Sequence, residues 1–347
     1  MKHPRLWNKS DLHHHLQHAL NLELWTVPLY LSALYSIKDL KKLKHNEYPE
    51  AAKLIYSVVV QEMLHIELVC NISNALGFSP AFYPPNYDEK KGIPFIHPTK
   101  DCLPTSLIGY KVKPQALNEI SLRLFCAIEL PHPAKEIVWG NEKSYNCISE
   151  LYEALKIGVS NLWNECYVGD EHNTKQKNIF KEYHNTHGRH HGFSLTIKSV
   201  DTALKAIEAI VEQGEGADSK RVAVDFRPPD PAAGNEFDSS WYKGQLSHYQ
   251  KFRMLLHSHH MLPPVYEENN GAKSFTAQIN MEIAFTDFLK EMETGFKSNG
   301  EEMPDTFWIK MYALGNAITA VWEAGICPDF SFDSSKKSAP VSGVILS

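Results

Sequence analysis

Residues 50–77, EAAKLIYSVVVQEMLHIELVCNISNALG, decide how the rest of the chain is read. Steps of four and three from Ala51 give Ala51, Ile55, Val58, Glu62, His65, Val69, Ile72 and Leu76, one face of a helix. Six of the eight are apolar, so this face turns inward, and Glu62 and His65 turn inward with it. A lone carboxylate on a buried seam costs several kcal/mol. A Glu-x-x-His pair projecting from one helix face can share that burden with a cation. An isolated pair can equally be a structural hydrogen bond, and partners elsewhere in the chain have to decide.

Four further segments supply such partners. Leu12, Leu16, Leu20, Glu23, Val27, Leu31 and Leu34 form a helical seam beginning near the cap-type residues Ser10 and Asp11, with Pro28 expected to kink or loosen it. Glu23 occupies a leucine position on that seam. A third helix over about 115–130 aligns Leu122, Phe125 and Glu129 before Pro131 stops it. A helix over 200–213 buries Ala203, Ile207 and Ile210, with Glu212 and Glu215 flanking its C-terminal end. A helix from near Trp241 carries Gln245, His248, Phe252 and Leu255 on one stripe.

Other features read as scaffold or surface. Ile148 to Trp163 predicts a helix whose Glu150 and Glu153 are solvated. His13, His14, His15 and His18 encircle a helix turn, as a solvated patch does. Histidines 172, 184, 187, 190 and 191 lie in a polar segment, 164–193, without cysteines at zinc-finger spacing, which predicts an insertion or a partly mobile loop. The Pro-rich stretch to Pro114, with Phe82, Tyr83, Tyr87, Phe95 and His97, predicts a loop that walls a pocket or covers one end of a bundle. Two last helices, Phe275 to Phe296 (stripe Ile279, Ile283, Phe285, Phe288, Leu289, Met292) and Pro304 to Glu323 (Phe307, Met311, Leu314, Ile318, Val321), carry no paired ligands.

At 347 residues and 43 % hydrophobic content the chain is long enough for a sizeable core. A net charge of -6 and a pI near 6.3 argue against nucleic acid or anionic lipid as a main partner. Six scattered cysteines without a Cys-x-x-Cys pair read as reduced thiols, and the N-terminus lacks the apolar run of a leader. A cytoplasmic protein with no membrane partner is expected.

Glu23, Glu62 with His65, Glu129, and His248 with Glu212 or Glu215 come from separate helices, which is the ligand recipe of a carboxylate-bridged di-metal centre in an all-α bundle. Such donors suit iron, with manganese as the alternative. At these residues the chain resembles a known family. ELWTVPLY (23–30), VQEMLH (60–65), IELP (128–131), IVEQGEG (210–216) and LSHYQKF (246–252) look like the ferritin-like domain of iminophenyl-pyruvate dimer synthases, which couple two amino-acid-derived imines in violacein- and rebeccamycin-type pathways. Gln245 departs from the pattern of a regular bundle, which offers a Glu there.

The resemblance implies a ferritin-like bundle over 8–258, followed by a C-terminal helical extension at 272–326 and a tail at 327–347. The function it implies is a non-haem di-iron oxidoreductase acting on a small imine or 2-oxo acid, with a homodimer as a further expectation and Tyr30 or loop aromatics shaping the pocket. The alternative is an iron-handling protein that turns over no organic substrate. A third reading pairs the acids and histidines among themselves.

Overall fold

The computed structural model describes residues 2–87, 112–131, 145, 147–181, 195–214, 246–269 and 275–331. Among them are eight α-helices and no strand: α1 Lys9–Tyr35, α2 Glu50–Ala75, α3 Glu119–Ile128, α4 Ile148–Cys166, α5 Val200–Gly214, α6 His248–His257, α7 Phe275–Lys297 and α8 Asp305–Glu323. The all-α bundle expected from periodicity is the fold observed.

Helix α2 is the inner axis, and all eight residues of its seam are buried. It is long and apolar enough to cross a bilayer, but 78 % of its apolar window is buried inside the molecule. Gly77, at φ +74°, ends it by entering the left-handed region that glycine tolerates. Helix α1 starts two residues earlier than Ser10 suggests. Asn8 is its cap, in a reciprocal box with Asp11, because Asn8 accepts from the Asp11 amide while Asp11 accepts from the Asn8 amide. Pro28 does not break α1, which continues to Tyr35.

Two apolar clusters sit along the α1–α2 pair. One joins Leu12 to Val27 and Met63 to Leu76 with α4, α5, α7 and α8. The other joins Trp25 to Leu40 and Ala51 to Val59 with α3 and α6. Thus α3 and α4 cover successive lengths of the long pair, as do α6 and α5. The ends of these four short helices meet at the level of Glu23 and Glu62, where the two clusters adjoin.

Helices α7 and α8 form an antiparallel hairpin that docks on the bundle through α8 and α1. The Trp322 indole donates to the Ser32 carbonyl at 3.0 Å, and Phe288 packs on Phe307. Phe285, Phe288, Leu289 and Met292 are buried as expected, but Ile279 and Ile283 are 52 % and 56 % exposed. Beside Ile309 and Tyr312 they leave an apolar outer face, because the hairpin needs only one side of each helix to pack.

Two expectations are corrected by packing. Glu150, read as solvated, is buried, whereas Glu153 is partly exposed beside Lys156. Within the supposed insertion, 167–181 is ordered against the bundle. Lys177, completely buried, donates to the carbonyls of Ser298 and Gly300, and Asn71 clasps its backbone at 2.8 Å. Four of the five histidines there (184, 187, 190 and 191) lie outside the described residues, and His172 is exposed.

The N-terminal turn Pro4–Leu6 is pinned by Trp7, whose ring stacks on His15 and lies against Gly158 of α4. A β-carbon at 158 would sit 2.3 Å from the Trp7 ring. Gly158→Ala is therefore expected to expel Trp7 and cost about 1–3 kcal/mol by overpacking, despite the better helix propensity of alanine. Thermal unfolding with Trp fluorescence checks this; an unchanged transition would refute it.

Candidate metal centre

The acids are delivered by two local rules. Glu23 and Glu62 ride the inward seams of α1 and α2. Glu129 is the residue after α3, its amide donating to the Phe125 carbonyl at 3.0 Å, with the turn ended before Pro131. His248 is the first residue of α6, behind the capping residue Ser247. Glu23, Glu62, His65, Glu129 and His248 are all buried.

They form two groups sharing one member, Glu23–Glu62–His65 and Glu62–Glu129–His248, each with ligand atoms within 4.8 Å of one another. His65 Nδ1 lies 3.2 Å from Glu23 Oε2 and 3.8 Å from Glu62 Oε2. His248 Nδ1 lies 3.1 Å from Glu62 Oε1 and 3.5 Å from Glu129 Oε1. Glu62 thus turns one oxygen to each histidine, and the imidazoles stack with centroids 5.3 Å apart.

The outer atoms of these groups are also held. His65 Nε2 is 3.0 Å from Gln213 Oε1, and His248 Nε2 is 3.2 Å from Gln61 Oε1. The Tyr30 hydroxyl donates to Glu129 Oε1 at 2.5 Å, and Tyr152 donates to Glu23 Oε1. Burial and the neighbouring carboxylates raise both phenols well above their ordinary range, so they remain neutral donors.

The electrostatics are those of a cluster short of positive charge. Burial raises the Glu23 carboxyl, against the pull of His65. Burial disfavours the His65 imidazolium too, but its contacts with Glu23 and Glu62 outweigh that and push it up to about 10. For Glu62, burial and Glu129 raise the carboxyl, while His248 and His65 prevail and hold it lowered. Burial pulls Lys251 down to about 7, opposed by Glu129 and Glu62.

Among the described residues His248 Nδ1 is a buried atom with no hydrogen-bond partner, although it stands 3.1 Å from Glu62 Oε1. An orphaned imidazole nitrogen facing two carboxylates, in a donor set of hard oxygens and borderline nitrogens, fits a divalent first-row metal.

A cavity reaches this cluster between α1, α2, α4 and α5, lined by Leu22, Thr26, Ile148, Ser149, Ile210 and Val211 besides Glu23, Glu62, His65 and Glu129. Gly214 completes the wall; a β-carbon there would lie 3.4 Å from Glu129 Oε2.

The structure therefore brings together Glu23, Glu62, His65, Glu129 and His248. Glu212 is exposed and joins neither group, because the α5 face that packs inward is Ala203, Ile207, Ile210 and Gly214. Its neighbour Gln213 reaches His65 instead. Glu215, Gln245, Phe95 and His97 lie outside the described residues.

The loop aromatics among the described residues do not line the cavity: Phe82 is buried against Phe296, Tyr83 is exposed and Tyr87 packs on Trp25. Tyr30 also acts otherwise than expected, by holding Glu129. Gln61, Gln213, Tyr152 and Lys251 were not singled out from sequence. Gln61 and Gln213 adjoin candidate acids, but nothing local marks Tyr152 as different from any core tyrosine.

Comparison with known proteins agrees with this architecture. A family model described as Ferritin-like matches residues 16–257, and the chain belongs to that family. The crystal structure of a ferritin-like protein from Caulobacter vibrioides superposes with a TM-score of 0.70 at 28 % identity, covering 94 % of this chain and 99 % of that one. No curated protein matches this chain.

Proposed function

We propose that this chain is a non-haem di-iron oxidoreductase acting on a small amino-acid-derived substrate of the imine or 2-oxo acid type, in the manner of iminophenyl-pyruvate dimer synthases. The observation that carries the reading is the pair of acid–histidine groups joined through Glu62, with His248 Nδ1 left unpaired inside it. Glu23 and His65 would hold one ion, Glu129 and His248 the other, and Glu62 both, with Glu215 as a further candidate ligand. Iron, or manganese in its place, would supply redox equivalents and Lewis acidity.

The chain's own groups do the rest. Tyr152 tethers the far oxygen of Glu23, which keeps its near oxygen directed at His65, and Tyr30 holds the same Glu129 oxygen that faces His248. Leu22, Ile148, Ile210 and Val211 exclude water from the cavity, while the hydroxyls of Thr26 and Ser149 are the polar groups at its wall. A narrow, largely apolar entry of this kind supports a small substrate with one polar end. The apolar outer face of α7 and α8 supports a homodimer.

Elemental analysis of protein purified without added metal is expected to give about two irons per chain. Under air, an imine derived from an aromatic amino acid is expected to bring substrate-dependent oxygen uptake, with light scattering showing a small oligomer. Iron oxidation without substrate, with mineral growth in a large shell, would instead establish iron handling. A folded chain holding only trace metal would overturn both.

A further inference from the structure

The two histidines are held differently on their outer sides. Among the described residues Gln213 alone meets the outer nitrogen of His65, whereas the glutamine that meets His248 is itself met by a buried lysine. Lys251 lies one turn beyond His248 on α6 and is 1 % exposed. Its Nζ donates to Gln61 Oε1 at 2.5 Å, and the same oxygen stands 3.2 Å from His248 Nε2.

In its ammonium form Lys251 has hydrogens to give and no lone pair, so the atom of the Gln61 carboxamide that then faces it is the oxygen. An oxygen placed against His248 Nε2 can only accept, which puts the imidazole hydrogen on Nε2. In the neutral imidazole Nδ1 then carries the lone pair, and Nδ1 is the nitrogen found without a hydrogen-bond partner among the described residues, facing Glu62 and Glu129. Reversing the Gln61 amide would set its NH2 against the ammonium.

We propose that Lys251, acting through Gln61, is a positioning residue that fixes His248 in the tautomer able to ligate a metal through Nδ1. Lys251 is not among the residues that line the cavity. Its task is to choose which of two nitrogens is free, and it does so for one half of the centre only. This rests on the di-metal reading for its purpose, but the tautomer is a property of the metal-free chain.

Two measurements on the full-length protein test it. Nitrogen NMR of metal-free protein labelled with 15N-histidine, with His248 identified by its loss in His248→Gln, reads the tautomer directly. The hydrogen is expected on Nε2 in the native chain, in mixed positions in Lys251→Met, and again on Nε2 in Lys251→Arg. Titration with Co(II), followed by absorption, is expected to show one of two equivalents weakened about 10–100-fold in Lys251→Met and in Gln61→Leu, the other nearly unchanged, and recovery in Lys251→Arg.

A native His248 with its hydrogen on Nδ1 overturns the proposal whatever the variants do. So does equal weakening of both equivalents, or none. A native chain that binds no Co(II) while His248 keeps its hydrogen on Nε2 removes the metal reading and leaves the relay standing, which separates the two failures.

Discussion

Replacing Glu62 by alanine is expected to abolish both metal equivalents at once. Other ligand substitutions in the cluster should each remove one. Glu62 is the only member common to both acid–histidine groups among the described residues, with one oxygen turned to each imidazole. The stability readout follows from linkage: ligand at a hundredfold excess over its Kd stabilises the native state by about 2.7 kcal/mol per site, and Glu62→Ala should lose that metal-dependent gain entirely.

In the metal-free chain the same substitution leaves the His65 imidazolium with Glu23 alone, a smaller effect because that contact survives at 3.2 Å. Calorimetry with and without Mn(II) distinguishes the two. A Glu62→Ala protein that still takes up two equivalents would show that the groups are separate sites.

The second large effect concerns a carboxyl that the centre does not use. Glu67 is buried on α2, where burial pushes it up to about 8 although the Ile179 amide donates to it at 2.7 Å. Its folded pKa is above its unfolded one, so the native state binds the proton more tightly. The stability this gives is complete below about 4.5, and it is lost as pH rises through about 8.

Glu67→Gln keeps an oxygen for the Ile179 amide and removes the charge. It is expected to gain on the order of 3 kcal/mol over the native protein at pH 7.5 and nearly nothing at pH 4.5. Urea unfolding at the two pH values checks it; equal differences at both would contradict the assignment.

The difference between Glu62 and Glu67 shows how far the pattern on α2 can be read. Both are buried glutamates, yet Glu62 lies on the seam with His65 and finds partners from α3 and α6, while Glu67 lies off the seam and finds one amide of the 167–181 segment. Helical spacing separates them correctly, because a seam position faces the bundle centre and residues five apart do not share a face. The same rule located Glu23, Glu129 and His248. It left the end of α5 undecided, where Glu212, Gln213 and Gly214 sit about 100° apart on the wheel and a small rotation decides which faces inward.

Local periodicity alone located the helices, the inward acids Glu23, Glu62 and Glu129, and the histidines at 65 and 248, since burying an apolar stripe fixes the residues that share it. Only the tertiary structure decided what these groups meet. Tyr30 on Glu129, Tyr152 on Glu23, Gln213 on His65 and Lys251 through Gln61 on His248 are pairings between residues 99 to 190 positions apart, apart from the lysine's own step along α6. Such pairs leave no mark on spacing within a helix; they exist because four short helices end at one level along α1 and α2 and bring their terminal side chains into the same buried volume.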